Sequence, residues 1–274
     1  MARLSLGWLR PPKPAPGGVM SLADHLRELR YRIILSSVAV VVASLVAALW
    51  YDPLYQILMR PYLVAVEMLA QSNPNLDTTT VISGVVTPFT LALKVCLVAG
   101  LVLASPVWVY QIWAYIVPAL VAKERKWALS FLAAAIPLFL FGVLIGYVIM
   151  PQGISVMLSF TPSSVPITNL LEVNQFLELT LQLMVVFGLG FLMPVIVVGL
   201  NLIGVVSAQQ LAKARTYVIF GIFIFGAAAT PSTDPFSMLA LSLPMTLLYI
   251  LAEVIAHTHD RRKVGRAAAA AAVG

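Results

Sequence analysis

The densest group of ionisable side chains in this sequence is the stretch Ser21-Leu22-Ala23-Asp24-His25-Leu26-Arg27-Glu28-Leu29-Arg30-Tyr31-Arg32, which stands immediately before a long apolar run. On a helix, His25, Glu28 and Arg32 share one face at i, i+3 and i+7, while Leu22, Leu26, Leu29 and Ile33 share another. Two chemistries are open to Glu28. It can pair with Arg32 at i,i+4, which is worth about 0.3–0.5 kcal/mol on an exposed helix. It can instead receive a cation from a partner molecule, because a carboxylate takes an arginine fork through two charge-assisted hydrogen bonds. The neighbouring Arg27, Arg30 and Arg32 keep it ionised. Catalysis finds no support. There is no H-E-x-x-H, G-x-x-x-x-G-K-[ST] or G-x-S-x-G pattern, and His25, His257 and His259 lack acids at metal-ligand spacing. No cofactor or metal is implied, and nucleotide hydrolysis on this chain is excluded.

The elements that carry these groups follow from composition. The chain has 274 residues, 61% apolar and 10% charged, with a mean hydropathy of +0.96. A water-soluble domain of this length cannot hide so much apolar surface, so the composition is that of an all-α integral membrane protein. The single cysteine, Cys96, excludes an internal disulfide. Residues 1–20 are basic and rich in Pro and Gly without an apolar core, and read as a flexible cytoplasmic lead rather than a cleavable signal. About 20 apolar residues cross the roughly 30 Å of hydrocarbon. By that measure the first span is 33–51 and the second 86–107, followed by a short amphipathic helix over 107–120 near the interface. The third span is 127–150. Residues 151–173, with Pro151, Pro162 and Pro166, read as a loop. The fourth, fifth and sixth spans are 176–200, 216–229 and 235–256. The fifth is short, since fourteen residues reach roughly 21 Å, and the sixth carries Pro244 near its middle. Short spans thin the bilayer or require partners. Residues 21–256 thus form a six-span membrane domain and 257–274 a basic, Ala-rich cytoplasmic tail. The capping-box variant Ser21-x-x-Asp24 predicts a helix start at Leu22. Gly142-x-x-x-Gly146 and Gly188-x-Gly190 predict close helix packing.

Charge placement orients the spans. Of seventeen Lys and Arg, fifteen fall in the N-terminal arm, the second connection, the fourth connection and the C-terminal tail. These segments share one side only if there are six crossings, and the positive-inside rule makes that side cytoplasmic, with both termini there. The other side has Arg60 among Asp52, Glu67, Asp77, Glu172 and Asp234. Lys94, Glu178 and Glu253 lie within or near the spans, where an ionisable group is a functional candidate. Their plainer readings are snorkelling for Lys94, a helix N-terminal charge for Glu178, and reach to the cytoplasmic interface for Glu253.

His25-Leu26-x-Glu28-Leu29-Arg30-x-Arg32 ahead of a first span resembles the opening of the TatC family, the core subunits of the twin-arginine protein translocase. Further segments match in order. They are Thr87-Pro88-Phe89 with Lys94; Ser105-Pro106-Val107; Tyr110-Gln111-Ile112-Trp113-Ala114-Tyr115-Ile116-x-Pro118-Ala119-Leu120; Lys123-Glu124-Arg125; and Thr230-Pro231 with Asp234-Pro235-Phe236-Ser237. The match covers about residues 19–256. The resemblance implies six helices in a curved, concave wall with short fifth and sixth helices. It implies a receptor for twin-arginine signal peptides of folded precursor proteins, driven by the proton gradient. The arginine pair would be bound by Glu28 and Glu124, with Arg30, Arg125, Gln111 and Tyr115 around them. The plainer reading of Glu124 is a solvated charge pairing with Lys123 or Lys126. Trp108, Tyr110, Trp113 and Tyr115 read either as an interfacial belt or as a platform for the peptide. Single-span TatA/TatB-type partners would dock at the short helices near Thr230, Asp234 and Met238. Further copies of the chain and the lipid bilayer are the other expected partners, with no nucleic acid.

The sequence departs from the family at Leu192, in Phe191-Leu192-Met193-Pro194, where a buried glutamate is usual. Glu178 lies 14 residues earlier, about 21 Å along a helix, and is no direct substitute. Met238 stands for a common glutamine and Ile250 for a common glutamate, with Glu253 one turn on. Leu192 is expected to weaken partner gating rather than peptide recognition. The rival reading, a secondary transporter for a small solute, predicts paired broken spans in two halves, and no half-repeat is visible.

Overall fold

The computed structural model describes residues 22–72, 78–116, 125–160, 169–202, 204–230 and 235–273. Among these residues there are eight helices and one short strand pair: α1 (Leu22–Ala48), α2 (Tyr51–Ser72), β1 (Thr78–Val81), α3 (Thr87–Leu103), α4 (Ser105–Ile116), α5 (Arg125–Ser159), β2 (Asn169–Glu172), α6 (Val173–Leu202), α7 (Ala208–Ala229) and α8 (Pro235–Val273). Among the described residues five helices are long and apolar enough to cross a membrane, or six if α3 and α4, bent by 59° at their junction, count as one span. The bend falls at Ala104, just before Pro106, whose ring forbids a normal continuation of α3. The Trp108 indole Nε1 donates to the Leu101 carbonyl across it, at 2.9 Å.

The contacts group the described residues into two compact units, one within Met1–Trp50 and Cys96–Ile136, the other within Tyr51–Val95 and Pro137–Gly274. In the first, α1 lies against the second half of α3 and against α4. At Gly100 the α3 backbone closes on Ser44, whose backbone N a Cβ would meet at 2.6 Å. Trp113 of α4 stacks on Phe131 of α5, ring centroids 3.7 Å apart. Trp108 and Trp113 are therefore core residues. Of the four aromatics expected at a belt or platform, only Tyr110 and Tyr115 reach the surface.

The second unit is organised around α6. Gly142 and Gly146 of α5 let that helix approach the α6 backbone, where added Cβ atoms would meet the Phe187 carbonyl at 2.5 Å and the Leu183 carbonyl at 2.9 Å. Gly188 reciprocates against Phe139 and Val143, as the glycine spacing predicts. Gly190 faces Met245 and Leu241 of α8. Helix α7 packs on α8 at Gly226, beside Ser242 and Met238, and the Tyr249 hydroxyl donates to the Leu211 carbonyl at 2.9 Å.

Several boundaries differ from the sequence reading. Helix α2 was not foreseen: the segment after the first span was read only for its charges, and the helix carries two prolines. Pro53 sits in the first turn, where no N–H is needed. Pro61 lies inside and deprives the Ile57 carbonyl of its i+4 donor. The Tyr147 hydroxyl of α5 donates to that carbonyl instead, at 2.7 Å. Residues 151–159 are helical rather than loop, since α5 runs through Pro151 to Ser159; at about 1.5 Å per residue its 35 residues exceed the hydrocarbon thickness. Helix α7 begins at Ala208, eight residues before the charge-free run, behind a Ser207–Gln210 capping box. The helix has 22 residues, while its charge-free part remains the short 216–229. Helix α8 continues past 256 to Val273, helped by a run of alanines, the strongest helix formers. The parallel pairing of β1 with β2, Thr78 opposite Asn169 through Val81 opposite Glu172, also went unforeseen.

Candidate functional site

The unbroken helical run from Leu22 places the charged collar on one stretch of α1, while Ser21 of the expected capping box lies outside the described residues. His25, Glu28 and Arg32 indeed share a face, and that face meets α4. Glu28 is only 6% exposed. Arg32 donates to its Oε1 from both Nε, at 2.9 Å, and Nη2. The third donor group of the same guanidinium, Nη1, reaches across to Oε1 of Gln111 on α4, at 3.0 Å. The i,i+4 pair expected on simple spacing is therefore formed, but in a buried setting. There, removing one partner leaves an uncompensated charge, at about 3–5 kcal/mol. The other carboxylate oxygen of Glu28, Oε2, is buried and has no hydrogen-bond partner among the described residues. An ionised carboxylate accepts through both oxygens, so half of the acceptor capacity of Glu28 is unused.

One turn earlier on α1 and one turn later on α4, His25 stacks on Tyr115, with ring centroids 4.5 Å apart and planes 15° from parallel. The contacts 32 with 111 and 25 with 115 run in opposite senses, so the two helices are antiparallel here. The structure thus brings together Glu28, Gln111 and Tyr115 among the residues expected at the site, and adds His25 and Arg32 as their direct partners. Arg30 is exposed on α1. Arg125 opens α5. Glu124 lies outside the described residues, as does Asp234.

The remaining candidates are spread over the second unit. Lys94 of α3 and Glu178 of α6 form an ion pair, Nζ to Oε1 2.8 Å, with side chains 44% and 49% exposed. Neither acts alone as a snorkelling or capping charge; each neutralises the other within an apolar span, where a lone charge is costly. Glu253 of α8 is held by Arg215 of α7 through a two-point contact, Nε to Oε2 at 2.9 Å and Nη2 to Oε1 at 2.6 Å. The Thr230 hydroxyl is buried and donates to the Gly226 carbonyl at 2.9 Å, closing α7. Met238 packs against α7 at Gly226. Leu192 is 7% exposed, so a carboxyl there would be desolvated. A cluster that sequence reasoning missed joins the α6–α7 turn to α8. Asp260 accepts from the backbone N–H of Ala208 at 2.8 Å and lies 3.3 Å from the Asn201 amide nitrogen. The Asn201 amide also donates to the Val206 carbonyl at 2.9 Å. The signal was weak: an acid 52 residues from the helix start that it caps.

The family model for TatC, Sec-independent protein translocase protein, matches residues 24–244. The Sec-independent protein translocase protein TatC of Frankia casuarinae is 37% identical over 250 residues, spanning 90% of this chain and 68% of that one. The protein of the same name from Xylanimonas cellulosilytica is 34% identical over 261 residues, spanning 94% and 92%. A crystal structure of the Twin Arginine Translocase Receptor TatC in DDM matches with a TM-score of 0.70 and 31% identity, covering 85% of this chain and 99% of that one.

Proposed function

The chain belongs to the TatC family of Sec-independent protein translocase proteins, and on that premise we propose that it is the subunit that receives twin-arginine signal peptides at the cytoplasmic face. It is a multi-pass membrane protein and a component of a protein translocase. A solved relative is named a twin-arginine translocase receptor, which supports the same role here. The observation that carries the reading is Glu28: a carboxylate buried in the charged collar, with one oxygen engaged by Arg32 and the other without a donor. An arginine side chain of a peptide supplies the missing donors through the planar Nε–Nη2 edge, both directed to Oε2 as those of Arg32 are to Oε1, a pair that a lysine ammonium does not reproduce. The family resemblance makes Glu124 the second carboxylate, one for each guanidinium of the pair, and assigns Arg30, Arg125, Gln111 and Tyr115 to the same site.

Both termini face the cytoplasm and the host membrane is the cytoplasmic one, a reading supported by the placement of fifteen of the seventeen Lys and Arg. Single-span TatA/TatB-type partners dock along α7 and α8 near Thr230, Asp234 and Met238, where the charge-free run of α7 is short and thinned lipid favours association. Further copies of the chain join the same assembly. The protein binds and recruits rather than catalyses, and transport draws on the proton gradient. The test is export of a twin-arginine reporter in cells lacking their own receptor. The wild-type gene restores export, whereas Glu28→Gln and Glu124→Gln each reduce it. Full export by both variants at normal membrane levels refutes the assignment.

A further inference from the structure

We propose that Gln111 is a positioning residue: by holding Arg32 on Oε1 of Glu28, it keeps Oε2 open for a guanidinium of the incoming signal peptide. The inference rests on the reading of Glu28 as a peptide site and adds what makes that site available.

The Nε–Nη2 edge of an arginine matches a carboxylate with one N–H to each oxygen. Arg32 is one turn from Glu28 on the same helix and has the reach for that fork. It does not form it. Both Nε and Nη2 converge on Oε1, and Nη1 is drawn to Oε1 of Gln111 on the neighbouring helix at 3.0 Å. Gln111 is itself buried, so its acceptor is fixed in place. The result is the unpartnered, buried Oε2. A buried acceptor without a donor is destabilising, and a ligand that brings the donor removes that penalty on binding. Without Gln111 nothing holds the third donor group sideways. Arg32 closes its fork over both oxygens and becomes an internal competitor of the peptide.

The test measures the affinity of a fluorescent Arg-Arg signal peptide for the full-length protein in lipid nanodiscs. Gln111→Leu weakens binding about tenfold, the scale of one charge-assisted hydrogen bond. In an Arg32→Gln background the same change has no effect, because no internal fork remains to close. Arg32→Lys, which keeps the cation but cannot fork, is a second background with the same expectation. Unchanged affinity of Gln111→Leu overturns the proposal. An equal loss in the wild-type and both Arg32 backgrounds also overturns it and assigns Gln111 to helix packing alone. Glu28→Gln separates the layers: if it leaves Arg-Arg affinity intact, the underlying reading of the site fails. If Glu28→Gln loses affinity and Gln111→Leu does not, only the positioning role fails.

Discussion

Tyr147→Phe removes a single hydroxyl, and its consequence can be worked from the geometry. That hydroxyl donates to the Ile57 carbonyl at 2.7 Å, the acceptor that Pro61 leaves without a backbone donor. The contact is not fully buried, so water partly replaces the lost donor, and the expected loss is at the lower end for an unpaired acceptor, about 1 kcal/mol or a factor of about five in the folding equilibrium. Pro61→Ala restores the N–H one turn on. In that background the Ile57 carbonyl has an internal partner, and Tyr147→Phe should lose only a few tenths of a kcal/mol, a coupling of at least about 0.5 kcal/mol between the two positions. The assay is a double-mutant cycle on reversible unfolding in mixed micelles, followed by circular dichroism. If Tyr147→Phe has the same effect with proline or alanine at 61, the hydroxyl does not stand in for the missing N–H. The explanation of how α2 tolerates its internal proline is then wrong.

Other outcomes follow from single positions. Gly142→Ala forces a methyl to within 2.5 Å of the Phe187 carbonyl, so it destabilises by about 1–3 kcal/mol. Gly221→Ala, with open space around it, should be neutral or stabilising by up to about 1 kcal/mol; thermal unfolding in detergent compares the two. Lys94→Met strands Glu178 in an apolar span and lowers the yield of folded protein, as does Glu178→Gln, while the double variant recovers it. Equal and additive losses would show that the 2.8 Å pair contributes nothing. Leu192→Glu places a carboxyl in a buried site and alters reporter export without changing Arg-Arg peptide affinity; an unchanged export rate removes the link between this position and partner gating.

Local periodicity made much of this architecture legible. The second span was read to end at 107, close to the break between α3 and α4, and the glycine spacings marked the α5–α6 contact. His25, Glu28 and Arg32 fall on one face because helical spacing alone decides that. What local pattern does not carry is the identity of a distant partner. Spacing put Lys94 and Glu178 in separate spans, and only the fold brings them to each other across 84 residues of chain. The same holds for Arg215 with Glu253, for Asp260 on the first turn of α7, and for the β1–β2 ladder. Helix α2 was hidden for a different reason. The segment after the first span was read only for its charges, and nothing in the sequence shows that a tyrosine from α5 supplies the donor that Pro61 removes. The start of α7 was visible in Ser207 and Gln210, but hydropathy pulled the boundary towards the charge-free run. At the proposed site, Glu28 stood out as an acid in a basic collar, whereas Gln111 and Tyr115 came only from the family resemblance. The unpaired Oε2 was not legible, because it depends on how Arg32 divides its donors between two helices.

The central claim is that Glu28 reads an arginine fork, and the measurement closest to it is peptide binding with charge held constant. Equilibrium affinities for a labelled Arg-Arg signal peptide and its Lys-Lys counterpart are compared on the wild-type protein and on Glu28→Gln. The account predicts tighter binding of Arg-Arg by the wild type and loss of that preference in the variant. Equal affinity for the two peptides on the wild type, or a preference that survives Glu28→Gln undiminished, would contradict it.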